Sequence, residues 1–516
     1  MSFKKMIDNP HPIYTQNVFL WNFLLQSYEG GLDYTNAKIT FNAETTLDPA
    51  ALELMAGGER LRSKTTESNL FSHSKERNED FKKRLSMSYY YNLCAPIIDT
   101  YTNHIFKLPV IEDFKNIEKA VEARDKDIDL MGSSVDEFRV ETADLAQIYG
   151  HIYTLVDSPK FNPNILTMKD KMDNKQFPFF MHFRPQDVLN WALDGLGKPH
   201  WVLLRESEDS NIDPFAFEEN KKRKLMYRLW TRQEWILIDE DGNETERASH
   251  KLGFVPLSVT FDKRSKKARN FLGVSFITDL SLIARDIYNS ASELRQILRD
   301  QTFSFLVLQG DANDFNAIEV ATNKGLRYPK ETNQPQFISP DAANAEVYFK
   351  HIDRQVDKMF ELAMLPSGSA SFEGQSAVQQ SGVSKAWDFN QTNSALSKKA
   401  SNYEDGELKA WEMFARWEGK EWDGSVEYPR EFNVQSLIED LNEAKETLKL
   451  GLGATFDKEI KQAIVKKKFP QKTDQEIDAM VKEFADTNET GTTLKDKVGS
   501  IFRKGAGLGA KKEEEE

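Results

Sequence analysis

The chain has 516 residues, 39% of them hydrophobic and 11% aromatic, enough for two to four folded domains and too much for wholesale disorder. Its formal charge of −14 argues against a protein that grips nucleic acid tightly, because such grip comes from neutralising phosphates. Two readings remain open on charge alone: a chain that never meets nucleic acid, or one that surrounds DNA without holding it. No apolar run approaches the roughly 18 residues of a membrane span. Lys4 and Lys5 are followed by no apolar stretch of a secretory signal, and the single cysteine, Cys94, makes no intrachain disulfide, so no membrane and no oxidising compartment is expected.

The first 60 residues alternate aromatics (Tyr14, Phe19, Trp21, Phe23) with loop signals at Gly30-Gly31 and Gly57-Gly58. Residues 76–108 predict one helix, with Phe81, Leu85, Tyr89, Leu93, Ile97, Tyr101, Ile105 and Leu108 near three-and-four spacing and Pro109 closing it. A second helix is expected over Val135–Tyr149. From Ile152 to Phe261 the chain turns β-rich, with strands at Ile152–Val156, Phe179–Phe183, Trp201–Arg205, Met226–Thr231 and Glu234–Ile238, a turn at Asp239–Asn243, and a polar surface loop over Ser207–Lys224.

The clearest helix covers residues 274–301, striped by Phe276, Leu280, Ile283, Ile287, Leu294 and Ile297. Small residues (Ser281, Ala284, Ser290, Ala291, Ser292) interleave with the stripe. The helix is either an ordinary core helix or one that packs closely against copies of itself. Residues 302–346 read as a compact α/β insert: strands at Phe303–Gln309, Gly325–Pro329 and Pro335–Ser339, and a short helix at Phe315–Thr322. It is too small for secure independence. A helix over 347–364 follows, then a Gly/Ser-rich loop at Ser367–Gly382, a long helix from Ser384 to Glu418, small helices from 432 with capping patterns at Ser436–Glu439 and Thr473–Glu476, and a tail over the last 25 residues expected to be disordered. No internal repeat is present. The fold class expected is α+β, mainly helical.

Site chemistry is sparse. One Cys and eight scattered His offer no zinc spacing, and no phosphate-binding GxxxxGK[ST] or GxSxG elbow occurs. Gly505–Ala510 lies in the terminal tail, not between a strand and a helix, and is no dinucleotide loop. Cys94 reads as a small core residue and His351, beside Arg354, as surface. The basic cluster Lys263, Arg264, Lys266, Lys267, Arg269 is a solvated loop or a binding patch. No cofactor or metal is expected.

The order of segments carries more than any single motif. Tyr89–Asp99 with Tyr101–Pro109, Ala146–Tyr153, Leu252–Leu257, Phe271–Ser275 leading into the long helix, Ser381–Ser384 after the flexible loop, and Val426–Phe432 together resemble the portal proteins of long-tailed bacteriophages across residues 80 to 485. That resemblance implies a wing over 1–269, a stem of helices at 270–301 and 347–366, a clip over 302–346, a tunnel loop over 367–382, a long wing helix over 383–425, a helical crown over 426–490 and a disordered tail over 491–516. It implies a homo-oligomeric ring, a dodecamer in the virion, at the portal vertex of a capsid made in the bacterial cytoplasm. Its partners would be double-stranded DNA transiently in the channel, the terminase large subunit, the head–tail adaptor, and the major capsid or scaffolding protein. The channel residues would be Ser367, Gly368, Ser371, Phe372, Glu373, Gln375, Gln379 and Gln380. The docking residues in the clip would be Lys324, Arg327 and Lys330. Two points of the residue reading agree: the small-residue helix over 274–301 suits a ring of stem helices packed side by side, and the insert, with six acids against those three cations, suits a wall that does not hold phosphates, as does a tunnel loop whose only charge is Glu373. The rivals are another virion structural protein, such as a minor capsid or tail component, and an acidic metal-dependent hydrolase or nuclease.

Overall fold

A computed structural model describes residues 3–37, 39–40, 66–73, 76–159, 167–208, 224–266, 271–302, 305–307, 336–338, 342–365, 382–430 and 432, with isolated positions 458, 462 and 477. The chain is α+β. Residues 1–430 form one compact unit and 431–516 a second; the helices and strands named below belong to the first. No described helix is long and apolar enough to cross a membrane.

The N-terminal stretch is helical rather than irregular. Helix α1 (Pro12–Glu29) begins with His11 as N-cap, its ring accepting from the Ile13 amide, and with proline at the first helical position. Tyr14, Trp21, Phe23 and Leu24 turn inward. Gly30 closes the helix at φ 67°.

The single helix expected over 76–108 is instead two. A first helix spans Asn78–Met87; Ser88 then turns extended, at ψ 142°. Helix α2 (Cys94–Ile105) restarts six residues later, the Asn92 side chain accepting from the Ala95 amide. Of the tyrosines between them, Tyr90 is packed, stacking on Tyr34 at 3.7 Å and donating to the Ser27 carbonyl, while Tyr89 and Tyr91 are exposed. Helix α3 (Val135–Tyr149) starts on a capping box between Ser134 and Glu137 and ends at left-handed Gly150.

Two antiparallel sheets follow. The smaller holds β1 (His151–Asp157) between β2 (Phe179–Phe183) and β8 (Leu257–Phe261). The larger is a meander of β3 (Val188–Leu193), β4 (Pro199–Glu208), β5 (Lys224–Thr231), β6 (Glu234–Ile238) and β7 (Glu244–Ser249). All seven residues of β1 are buried, so it lacks the alternation of a half-wet strand. The turn at Asp239–Gly242 joins β6 to β7 as its residues imply, Asp239 accepting from the Asp241 and Asn243 amides.

Three long helices complete the unit: α4 (Thr278–Thr302), α5 (Ala342–Leu362) and α6 (Gly382–Trp417). Helix α6 packs along β8 and β1. Its Gly406 lies so close to Thr260 that an added Cβ would sit 2.2 Å from the threonine hydroxyl and 2.9 Å from Cα. The short strands Ile111–Asp113 and Ser425–Glu427 pair beside it.

Candidate functional site

Two of the segments that carry the resemblance meet in space. The Phe276 amide donates to the Gln147 carbonyl, and the backbone at Gly273 crosses the end of α3 so closely that a Cβ there would fall 1.9 Å from the Gly150 carbonyl oxygen. Gly150 itself has φ 85°. Only glycine fits both sides of such a crossing. It fixes where α4 leaves the β-rich body.

From that point α4 and α5 form an antiparallel arm. At its base Leu280, Ala284, Ile287, Met359 and Ala363 are buried in the main core, with Ile352 and Val356 packed against them. Beside these apolar residues and beyond them, polar contacts also join the helices. Asp286 accepts from Gln355 Nε2 at 3.0 Å and lies 2.9 Å from His351 Nε2, while Tyr348 donates to Glu293 at 2.5 Å. His351 and Asp286 are 42% and 46% exposed, so these contacts are wet. Beyond the helices the insert is closed at its root by antiparallel pairing of Phe305–Val307 with Gln336–Ile338.

The small and polar residues of α4 are covered by the chain's own segment 68–88, not left open for a copy. Asn289 donates to the Asn69 carbonyl and accepts from the Phe71 amide at 2.7 Å. Ser292 meets Ser88 at 2.7 Å and Arg84 at 3.4 Å. Arg285 lies over the Phe71 ring at 4.5 Å. Ser281, Ala284, Ser290 and Ser292 are buried in the single chain. Self-packing through these small residues is therefore corrected: this face is an ordinary core face. The signal was present, since Arg285 and Asn289 at core phase need polar cover.

The arm returns to the body at left-handed Met364, where the Leu365 amide donates to the Phe360 carbonyl. Tyr101 donates to the Ala363 carbonyl at 2.6 Å, and Thr392 on α6 bonds the Met364 carbonyl. Helix α6 is held by buried ionic contacts. Lys399 pairs with Asp262, which also accepts from Tyr403 at 2.9 Å; the ammonium sits 4.0 Å from the Phe276 ring centroid. Burial pushes the Lys399 pKa down, and Asp262 opposes that. Arg139 binds Glu407, Asp136 and Glu112 together, and Glu407 also accepts from Trp411 and Tyr428.

Other residues singled out by sequence fall into place. Cys94 is buried and its thiol is pushed up to about 12 by burial, so it is a core thiol and not a nucleophile. His351 bonds Asp286 in the arm. In the basic cluster, Arg264 pairs with Asp405 at 3.3 Å and lies over Phe261; Lys267 and Arg269 lie outside the described residues. Lys324, Arg327 and Lys330, and Ser367, Gly368, Ser371, Phe372, Glu373, Gln375, Gln379 and Gln380, all lie outside the described residues, as do nearly all of 431–490 and the tail. Among the described residues no group of three or more His, Cys, Asp or Glu side chains could hold a metal ion.

Residues 277–418 match the profile of a domain of unknown function (DUF4055), a little over a quarter of the chain. The match begins one residue before α4 and ends one residue after α6. The arm, its insert and the long helix are thus the part this chain has in common with that family. No curated protein matches the chain.

Proposed function

We propose that this chain is a portal-type subunit of a tailed bacteriophage: a non-enzymatic ring component at one capsid vertex, through which double-stranded DNA is packaged and ejected. The observation that carries the reading is the helix–insert–helix arm. Two antiparallel helices leave a β-rich body at a fixed glycine crossing, carry a small insert pinched at its root by Phe305–Val307 and Gln336–Ile338, and return to a long helix laid across the body. This order is that of a portal stem, clip and wing. The tail-component alternative is disfavoured by the length of the helices, since such proteins are mostly β. In this reading the insert docks the terminase and then the head–tail adaptor, and the acidic balance of the chain keeps the channel from gripping phosphates.

Negative-stain microscopy of the purified protein tests the reading. A closed ring with a central hole is the expected image. A monodisperse monomer of 59 kDa at every salt and protein concentration would overturn it. The channel assignment has its own test. A cysteine placed at Ser371 should be shielded from a bulky thiol reagent in DNA-filled particles and open in empty ones; equal labelling would remove the loop from the channel.

A further inference from the structure

The arm carries two unlike faces pointing away from each other, and each lacks a charge partner that the other supplies. On α4, Arg295 follows Asp286 by nine residues, which at about 100° per residue places it about 180° round the helix from the contact with α5. Its guanidinium bonds the Met87 carbonyl and lies 5.5 Å from the Tyr89 ring centroid. Arg299, one turn on, reaches the Met87 sulfur. Neither forms an ion pair among the described residues. Tyr89 and Tyr91 stand beside them with their hydroxyls 2.6 Å apart, 51% and 44% exposed. The patch is aromatic and cationic.

On α5, Asp353 lies two residues from both His351 and Gln355, hence about 160° round from the contact with α4. Glu346, Phe349 and Asp353 follow at intervals of three and four residues, and Phe349 is 49% exposed. Glu346 pairs with Lys350 and Glu361 with Lys358, but Asp353 and Asp357 form no ion pair among the described residues. Arg354, on the flank of this stripe, is also without an ion pair there. The face as a whole is an apolar ring bordered by unpaired carboxylates. The Tyr348–Glu293 bond sets Arg295 level with Glu346, so at about 1.5 Å per residue Asp353 and Asp357 lie about 10–16 Å nearer the base than Arg295, and the two faces meet between arms staggered by that much.

We propose that the two faces bind each other between successive copies of this chain: Tyr89, Tyr91, Arg295 and Arg299 of one subunit against Phe349, Asp353 and Asp357 of the next. A two-fold dimer would set Arg295 against Arg295 and leave Asp353 unmet. Two different faces on opposite sides of one arm make a head-to-tail contact, which closes into a ring when the rotation allows. The aromatic and arginine content of the first face is that of an interface core, and the opposed charges fix its register. Closure into a portal ring rests on the function proposed above; the contact itself does not.

The test uses the full-length protein and two charge reversals. One is Arg295→Glu with Arg299→Glu; the other is Asp353→Lys with Asp357→Lys. Both alter exposed side chains, so thermal unfolding of the monomer should stay within a degree or two of the parent. Each alone should reduce the assembled fraction roughly tenfold at fixed concentration, read by analytical ultracentrifugation. Mixing the two variants should restore assembly, because alternating subunits then meet either as parent faces or as a fully swapped pair. Restoration in the mixture establishes the head-to-tail contact. If the parent assembles and both variants assemble equally well, this contact is wrong while the ring reading stands. A parent that stays monomeric removes both.

Discussion

The body and the arm hold their helices by different means. In the body, α6 is fixed by contacts almost sealed from water: Lys399 and Asp262 are 8% and 5% exposed, Arg139 is 4% exposed against Glu407, and Gly406 touches Thr260 with no room for a methyl group. In the arm, α4 and α5 meet through Asp286, His351 and Gln355 at roughly half exposure, and Leu298, Val347 and Phe349 face solvent. Removing one partner of a dry ionic contact is costly because it strands a buried charge, whereas removing one partner of a wet contact costs little. The body is thus built to stand alone. The distal arm, beyond Tyr288, has less apolar cover: among the described residues Leu294 and Ala345 are its buried apolar side chains.

The largest expected effect tests the body. Lys399→Met leaves the Asp262 carboxylate buried with Tyr403 alone, and should cost about 3–5 kcal/mol in denaturant unfolding. Lys399→Met with Asp262→Leu removes both charges and should recover most of that loss. A single substitution costing under about 1 kcal/mol would show that the site is wet and that the contrast with the arm is false.

A second test uses pH. His151 is wholly buried at the start of β1, its pKa lowered to about 3 from 6.5 by desolvation. The folded state therefore binds fewer protons than the unfolded one between those values. The stability associated with neutral His151 is whole above about pH 6.5 and lost progressively as pH falls toward 3. At about pH 4.5 the loss should be about 2–3 kcal/mol relative to pH 7. His151→Phe should lack that component, the Tyr153 hydroxyl still donating to the Phe271 carbonyl. Equal pH slopes for parent and variant would mean that water reaches the ring. Smaller again is Gly406→Ala. The new Cβ must push α6 off β8, at a cost of about 2 kcal/mol by thermal unfolding. An unchanged melting temperature would mean that the helix is not seated on the strand.

How much of this was legible depends on what each residue pattern records. Helix α3 was readable at both ends, because Phe138, Ala143 and Ile148 mark its inner face and the Ser134–Glu137 box and Gly150 are local devices. Apolar spacing, by contrast, does not record backbone hydrogen bonding. Leu85, Tyr89 and Leu93 kept the period of a helix although Ser88 is extended and Tyr89 is half exposed, so two helices read as one. Helix α1 was hidden by the opposite error: Gly30 and Gly31 drew attention as loop signals, though Gly30 ends it and Gly31 opens the short helix Gly31–Thr35. In the arm the helices and the two strands at the insert's root were visible, since Phe305–Val307 and Gln336–Ile338 are rich in β-branched and aromatic residues and lie between helices. Their partners were not. Asp286 meets His351 across 65 residues of chain, a register set by the insert and by the crossing at Gly273, and no local pattern encodes it.

The smallest effect is the one that sharpens the comparison most. Asp286→Asn removes the charge from the arm's main polar contact while keeping an acceptor for one of its two donors, His351 Nε2 or Gln355 Nε2. Both Asp286 and His351 are close to half exposed, so the lost attraction is screened and water replaces the missing bond. The expected cost to the isolated chain is below about 1 kcal/mol in denaturant unfolding. The apolar base around Leu280, Ile287 and Met359 should then show unchanged amide exchange, because that part is held by the main core. Amides between Glu293 and Arg299 should exchange faster, since that stretch carries the part-buried Tyr348–Glu293 and exposed Arg295–Met87 contacts and lies outside the main core. A cost of about 3 kcal/mol or more, spread through the base as well as the tip, would mean that α4 and α5 form one sealed unit with the body. The arm would then be rigid in the single chain, and its contrast with the body would be gone.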